Sequence, residues 1–168
     1  MITIHRFTFA TMIIFIFVLG VVFGVCFQKA ILSPISAPEK RLQKAIVSLD
    51  TIPIPIGELV KLSAAIHKAA NHTGFEPELL LALNYSESTL NRKALSRSGK
   101  YVGYAQVPYR LWGTEDNVMM GALILKEKYF LSKGDMFQAI RRYKDGNSGQ
   151  ARYVLSLYQK LRYPEAKG

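Results

Sequence analysis

The first pattern along the chain is an unbroken apolar one. From Phe7 to Phe27 no residue is charged. As a helix, such a run spans about 32 Å, enough to cross the hydrocarbon core of a bilayer. A cleaved signal peptide is the rival expectation, but the run is long for one and no small-x-small cleavage site follows it. The sequence therefore predicts an uncleaved anchor over 1–27. Residues 28–57 read as a tether. Pro34 and Pro38 interrupt it, and Ile52-Pro53-Ile54-Pro55 is expected to be extended, because each proline disfavours helix for its predecessor. Between them, Leu42, Ala45, Ile46 and Leu49 make a short helical stripe, suited either to a membrane surface or to packing on the domain.

A domain is expected over 58–168. Leu59, Leu62, Ile66 and Ala69/Ala70 recur at helical spacing through 58–72, and Gly74 suits the C-terminal cap. Pro77 opens the next helix, which runs to about Ser88. Leu79 to Leu83 are apolar almost all round it, which predicts burial on most sides. Residues 92–113 break the helical period with Ser96, Ser98, Gly99, Gly103 and Pro108, and Tyr101, Val102, Tyr104 and Val107 favour extended chain. An irregular loop with a small hairpin is expected there. Three more helices follow: about 116–131, capped by Asp116 or Asn117; one capped by Asp135, through Tyr143; and one capped by Ser148, to about Leu161. The fold class is mainly α with one loop-rich, small β insertion.

Composition sharpens the division. Six of the nine Phe lie in the first 27 residues, and all nine Tyr lie beyond residue 80, so the two parts face different solvents. Cys26 is the only cysteine, which excludes an intrachain disulfide. The formal net charge is +10. The Lys and Arg are scattered and match no nucleic-acid motif, so charge alone does not choose the partner; a nucleic-acid binder stays open as a lesser reading, and no nucleic acid is expected as the partner. Taken alone, Lys29, Lys40, Arg41 and Lys44 beyond the apolar run would place the domain in the cytoplasm.

The candidate chemistry lies in ALNYSESTLN, residues 82–91, where the apolar helix ends in Glu87. A negative helix end and apolar surroundings both disfavour a carboxylate, which suits a general acid. Considered alone, a helix-terminal Glu is more often simply solvated. The wider pattern adds weight. Gly74-Phe75-Glu76-Pro77-Glu78-Leu79-Leu80-Leu81-Ala82, then Glu87-Ser88-Thr89-Leu90-Asn91 with Ala94 and Ser96, then Gly103-Tyr104-Ala105-Gln106-Val107, then Asn117-Val118 with Gly121-Ala122 and Leu125, occur in that order. With these pieces residues 74–125 resemble the soluble lytic transglycosylase domain, a lysozyme-like fold that cleaves peptidoglycan. A weaker match over Ala139 to Gly146 extends the resemblance to most of 58–161.

The resemblance implies a role for each residue. Glu87 matches the sole catalytic acid/base. Ser88, Gln106, Tyr104 and Tyr143 fall at substrate-binding positions, and the hydroxyl at the Tyr143 position reaches the catalytic carboxyl. It further implies that no metal or cofactor takes part and that the partner is peptidoglycan. The domain would then face the periplasmic side of a bacterial inner membrane, on a single-pass anchor, against the charge rule. Enzymes of this kind serve secretion or conjugation machines, phage assembly and lysis, or wall turnover. Two departures stand out: Tyr104-Ala105 where the family has Leu-Met, and Lys144-Asp145 where it has Asn-Ala. Tyr101, Tyr104, Tyr109 and Trp112 suit either sugar stacking or packing. Asp116, beside Glu115, is the best local candidate for a second carboxylate, though a capping role fits it better.

Overall fold

The computed structural model describes residues 37–49, 54–108, 111 and 113–164, all within one compact unit. The expected anchor at 1–27, Ile52-Pro53, Tyr109 and Trp112 lie outside the described residues. Among the described residues no helix is long and apolar enough to cross a membrane.

The described residues form six helices and one small antiparallel sheet in the order α1 (Ala37–Ser48), α2 (Ile56–Thr73), α3 (Pro77–Ser88), β1 (Tyr101–Val102), β2 (Val107–Pro108), α4 (Thr114–Leu131), α5 (Met136–Tyr143) and α6 (Ser148–Arg162). The mainly helical reading and the small hairpin insertion both hold. In the sheet Tyr101 pairs with Pro108 and Val102 with Val107.

Helix α3 is the centre of the fold. It packs against α6, α2, α1 and α4, which is why its apolar residues run almost all round. Leu79 to Leu83 are all buried. Pro77 opens it at a first-turn position where the missing N–H costs nothing. Gly74 ends α2 in the left-handed conformation at φ 78°, with its N–H on the Ala70 carbonyl. At the end of α3 Thr89 takes the same role at φ 51°, an uncommon place for a β-branched residue.

Helix α1 falls within the stretch expected as tether. Of the two placements open to its stripe, the protein adopts packing on the domain: Leu42 and Ile46 are buried in the core with Leu62, Ile66 and Leu80. Arg41 strengthens the attachment by reaching Glu78 at 3.2 Å and the Arg162 carbonyl at 3.1 Å.

Two expected caps are corrected. Helix α4 begins at Thr114 after Gly113, and neither Asp116 nor Asn117 caps it. The Asn117 side chain is committed to the neighbouring loop instead. Asn147, not Ser148, caps α6, accepting from the Gln150 N–H at 3.0 Å. Asp135 caps α5 as expected, accepting from the Gln138 N–H.

Candidate active site

Glu87 occupies the last turn of α3, one residue before its end. Its side chain is 15% exposed. Burial pushes its carboxyl above the usual carboxylate range; Lys144 works against this by charge and by hydrogen bond, and Asp145 adds to it. Burial outweighs the lysine, so the net direction is the one a general acid needs.

In the sequence Lys144 stands out only as a departure from the family pattern. It follows the last residue of α5, and its side chain is only 4% exposed. Its ammonium donates to Glu87 Oε1 at 2.8 Å and to the Ser86 carbonyl at 3.2 Å. One cation thus serves a carboxylate and a carbonyl from the last turn of α3, where main-chain acceptors lack helical partners. No local pattern signals this pair, because the two residues come from helices distant in sequence.

The other expected site residues converge on the turn between β1 and β2, residues 103–106. The Ser88 hydroxyl is shared between the Tyr104 carbonyl at 2.9 Å and the Asn84 carbonyl at 3.1 Å. The Tyr143 hydroxyl donates to the Ala105 carbonyl at 2.9 Å rather than to the Glu87 carboxyl. Its pKa is raised, first by burial and then by the charge of Glu87, so the phenol stays neutral. Gln106 stands at φ 48° and its amide donates back to the Gly103 carbonyl at 3.0 Å. Its side chain helps to hold the turn.

Asn117 completes this scaffold. Its Oδ1 accepts from the Ala105 N–H at 2.9 Å, and its Nδ2 donates to the Val102 and Leu111 carbonyls at 2.8 and 2.9 Å. Two glycines admit the approach. A Cβ at Gly103, itself at φ 75°, would overlap the Asn117 amide, and one at Gly121 would overlap Ala105 Cβ. The sequence offered Asn117 as a cap; its bridging role depends on a turn that sequence alone does not place.

Tyr104 is brought to the turn by its backbone, but its ring goes elsewhere. The residue is 1% exposed and lines a cavity of about 330 Å³ together with Glu58, Arg92, Asn91 and Leu90. Burial first, then the Glu58 charge, pushes its phenol up to about 12. Glu87 does not line this cavity. Asp116 makes no side-chain cap and lies in the first turn of α4, where its charge complements the positive helix end. Chemically, the arrangement offers one shielded carboxyl that is disposed to hold a proton, a buried ammonium beside it, and a turn braced from α3, α4 and α5. No family model, curated protein or solved structure matches this chain.

Proposed function

We propose that this protein is a peptidoglycan lytic transglycosylase with a lysozyme-like domain, in which Glu87 is the sole general acid/base. The observation that carries the reading is Glu87 itself, a shielded carboxyl at the negative end of an enclosed helix and raised above the usual carboxylate range. The ordered motifs from Gly74 to Leu125 support it, as do the Ser88 and Tyr143 hydrogen bonds that brace the turn beside α3.

Ordinary glycosidases use two carboxylates, but substrate assistance is a recognised exception. Protonated Glu87 gives its proton to the oxygen linking N-acetylmuramic acid to N-acetylglucosamine. The C1–O bond breaks, and its electron pair leaves with that oxygen. The muramic N-acetyl carbonyl oxygen bonds to C1. Ionised Glu87 then removes the proton of the same sugar's O6 hydroxyl, and O6 closes on C1 as the carbonyl oxygen departs. The product carries a 1,6-anhydro end and no water is consumed. Tethering of O6 gives a high effective concentration, worth about 7–11 kcal/mol in well-oriented cases. Such a substrate places the domain on the wall side of a bacterial inner membrane, held by the apolar run at 7–27.

The test is a digest of purified peptidoglycan by the full chain, with the muropeptides read by mass spectrometry. Anhydro ends are expected, and lysis should fall as pH rises through the Glu87 titration. Reducing ends without anhydro sugars would make the protein a hydrolytic muramidase instead. Glu87→Gln alone strands a buried ammonium, so Glu87→Gln with Lys144→Met is the cleaner inactive control. Full lysis by that folded double variant would remove Glu87 from the mechanism. A second reading draws on the Lys144 contact: one oxygen of Glu87 is already occupied, as in a non-catalytic wall-binding assembly protein. Wall binding without any cleavage would establish that reading.

A further inference from the structure

We propose that Lys144 is a positioning residue for Glu87, an ammonium that fixes the carboxyl against the end of α3 and stabilises its ionised form between the two proton transfers. The proposal rests on the reading of Glu87 as the acid/base. Its ground is geometric. The ammonium is almost wholly buried, 2.8 Å from Glu87 Oε1, and anchored a second time by the Ser86 carbonyl of the same turn. Two contacts from one Nζ to adjacent residues leave Lys144 little freedom to swing. The carboxyl it touches is thereby held in one orientation.

The chemistry gives this contact a use. After Glu87 has protonated the leaving oxygen, a bare carboxylate would remain in a shielded position at a negative helix end. Lys144 supplies the opposite charge at that moment. It exchanges no proton with the sugar, so the proton count of the cycle is unchanged. A buried ion pair is costly to assemble and costlier to break on one side, and that makes it a stable fixture once formed.

The other groups facing Glu87 act in the opposite sense or are neutral. Asp145 adds negative charge from the end of α5. Tyr143, from the same helix, is held neutral with its hydroxyl on the Ala105 carbonyl. Lys144 is therefore the group that lowers the cost of ionising Glu87, against burial and Asp145 together. The backbone following it is also set for the purpose: Asp145 and Gly146 are both left-handed, at φ 50° and 87°, and the Gly146 N–H closes on the Arg141 carbonyl at 2.8 Å. This turn closes α5 directly after Lys144, its C-terminal capping residue.

The experiment follows the Glu87 carboxyl carbon by 13C NMR in the full chain in detergent micelles, assigned by its loss in Glu87→Gln. Lys144→Gln keeps a donor for the Ser86 carbonyl but removes the charge. Its Glu87 should titrate about 1–3 pH units above that of the parent, the range an adjacent opposite charge commands. Lys144→Arg should restore the parent titration. The alkaline limb of the lysis profile should move in the same order, with a lower peak rate for Lys144→Gln. An unmoved titration in folded Lys144→Gln overturns the proposal, as does a moved titration with an unmoved lysis profile. If that variant fails to fold, the parent still decides: the Lys144 15Nζ signal should move through the same pH step as the Glu87 carbon, and a flat signal overturns the coupling. Absence of lysis by the parent would overturn the catalytic reading separately, since the titration does not depend on it.

Discussion

At the scale of single residues, the balance at Glu87 is set by three effects of different reach. Burial acts on the carboxyl everywhere, Lys144 acts at 2.8 Å, and Asp145 acts through space. Asn117 is the second residue on which much depends. It holds an N–H and two carbonyls of the chain between β1 and α4. Replacing it by Ala would leave those groups unpaired, at about 1–3 kcal/mol for each one that water cannot reach. Asn117→Ala should therefore lower the midpoint of urea unfolding markedly, and under the proposed function it should reduce lysis even where the variant remains folded. A variant as stable as the parent would show that water replaces the amide. The contrast between Glu87 and Asn117 shows what the sequence made legible. Glu87 was visible because an apolar helical run stops at it. Asn117 stands in the sequence as one of two candidate caps and as part of the Asn117-Val118 piece, and neither points to its hydrogen bonds. Its true partners, Val102, Ala105 and Leu111, are known only once the turn folds back. Lys144 was legible as a departure from a pattern, but its contact with Glu87 was not, because it joins two helices far apart in sequence.

At the scale of elements, helix ends are legible in the sequence where a residue forces the backbone. Gly74, Pro77 and Asp135 each act locally, and each was found in its expected role. The end of α3 is different. Thr89 and Leu90 follow one another at φ 51° and 58°, a left-handed pair with no glycine. Side chains of this kind disfavour that conformation, and no sequence rule predicts them there. The chain turns so because Leu90 must return to the core, where it is 4% exposed, and because the Thr89 N–H closes on the Tyr85 carbonyl at 2.8 Å. Strain in this turn lies two residues from Glu87. Thr89→Gly removes the steric cost at the capping position and should stabilise the protein by about 0.5–1 kcal/mol in thermal or urea unfolding. A loss of stability would mean that the Thr89 hydroxyl, 2.6 Å from the Ser88 carbonyl, outweighs the backbone term.

For the molecule as a whole, the extent of the folded unit decides what can be studied in isolation. The sequence suggested a domain beginning near residue 58, because Pro53 and Pro55 look like a boundary and the stripe before them is short. The compact unit instead takes in α1. Leu42 is 2% exposed and Ile46 is 1% exposed, both within the main core. Short amphipathic helices are ambiguous from sequence, since the same stripe suits a lipid surface or a protein groove. The packing of α1 against α2 and α3 resolves this one. A fragment spanning 58–168 would leave that part of the core open. Losing one buried Leu or Ile side chain to Ala costs about 2–5 kcal/mol, against a typical total stability of about 5–15 kcal/mol. Fragment 58–168 should accordingly unfold at a much lower temperature than fragment 37–168, or fail to fold. Calorimetry of the two decides it. Since α1 also packs on α3, which carries Glu87, the proposed function requires the shorter fragment to lose wall lysis along with its stability. Leu42→Ala in the longer fragment provides the graded check, because a core contribution from α1 requires a fall in its unfolding temperature. Equal stability of the two fragments would make α1 an appendage and return the boundary to residue 58.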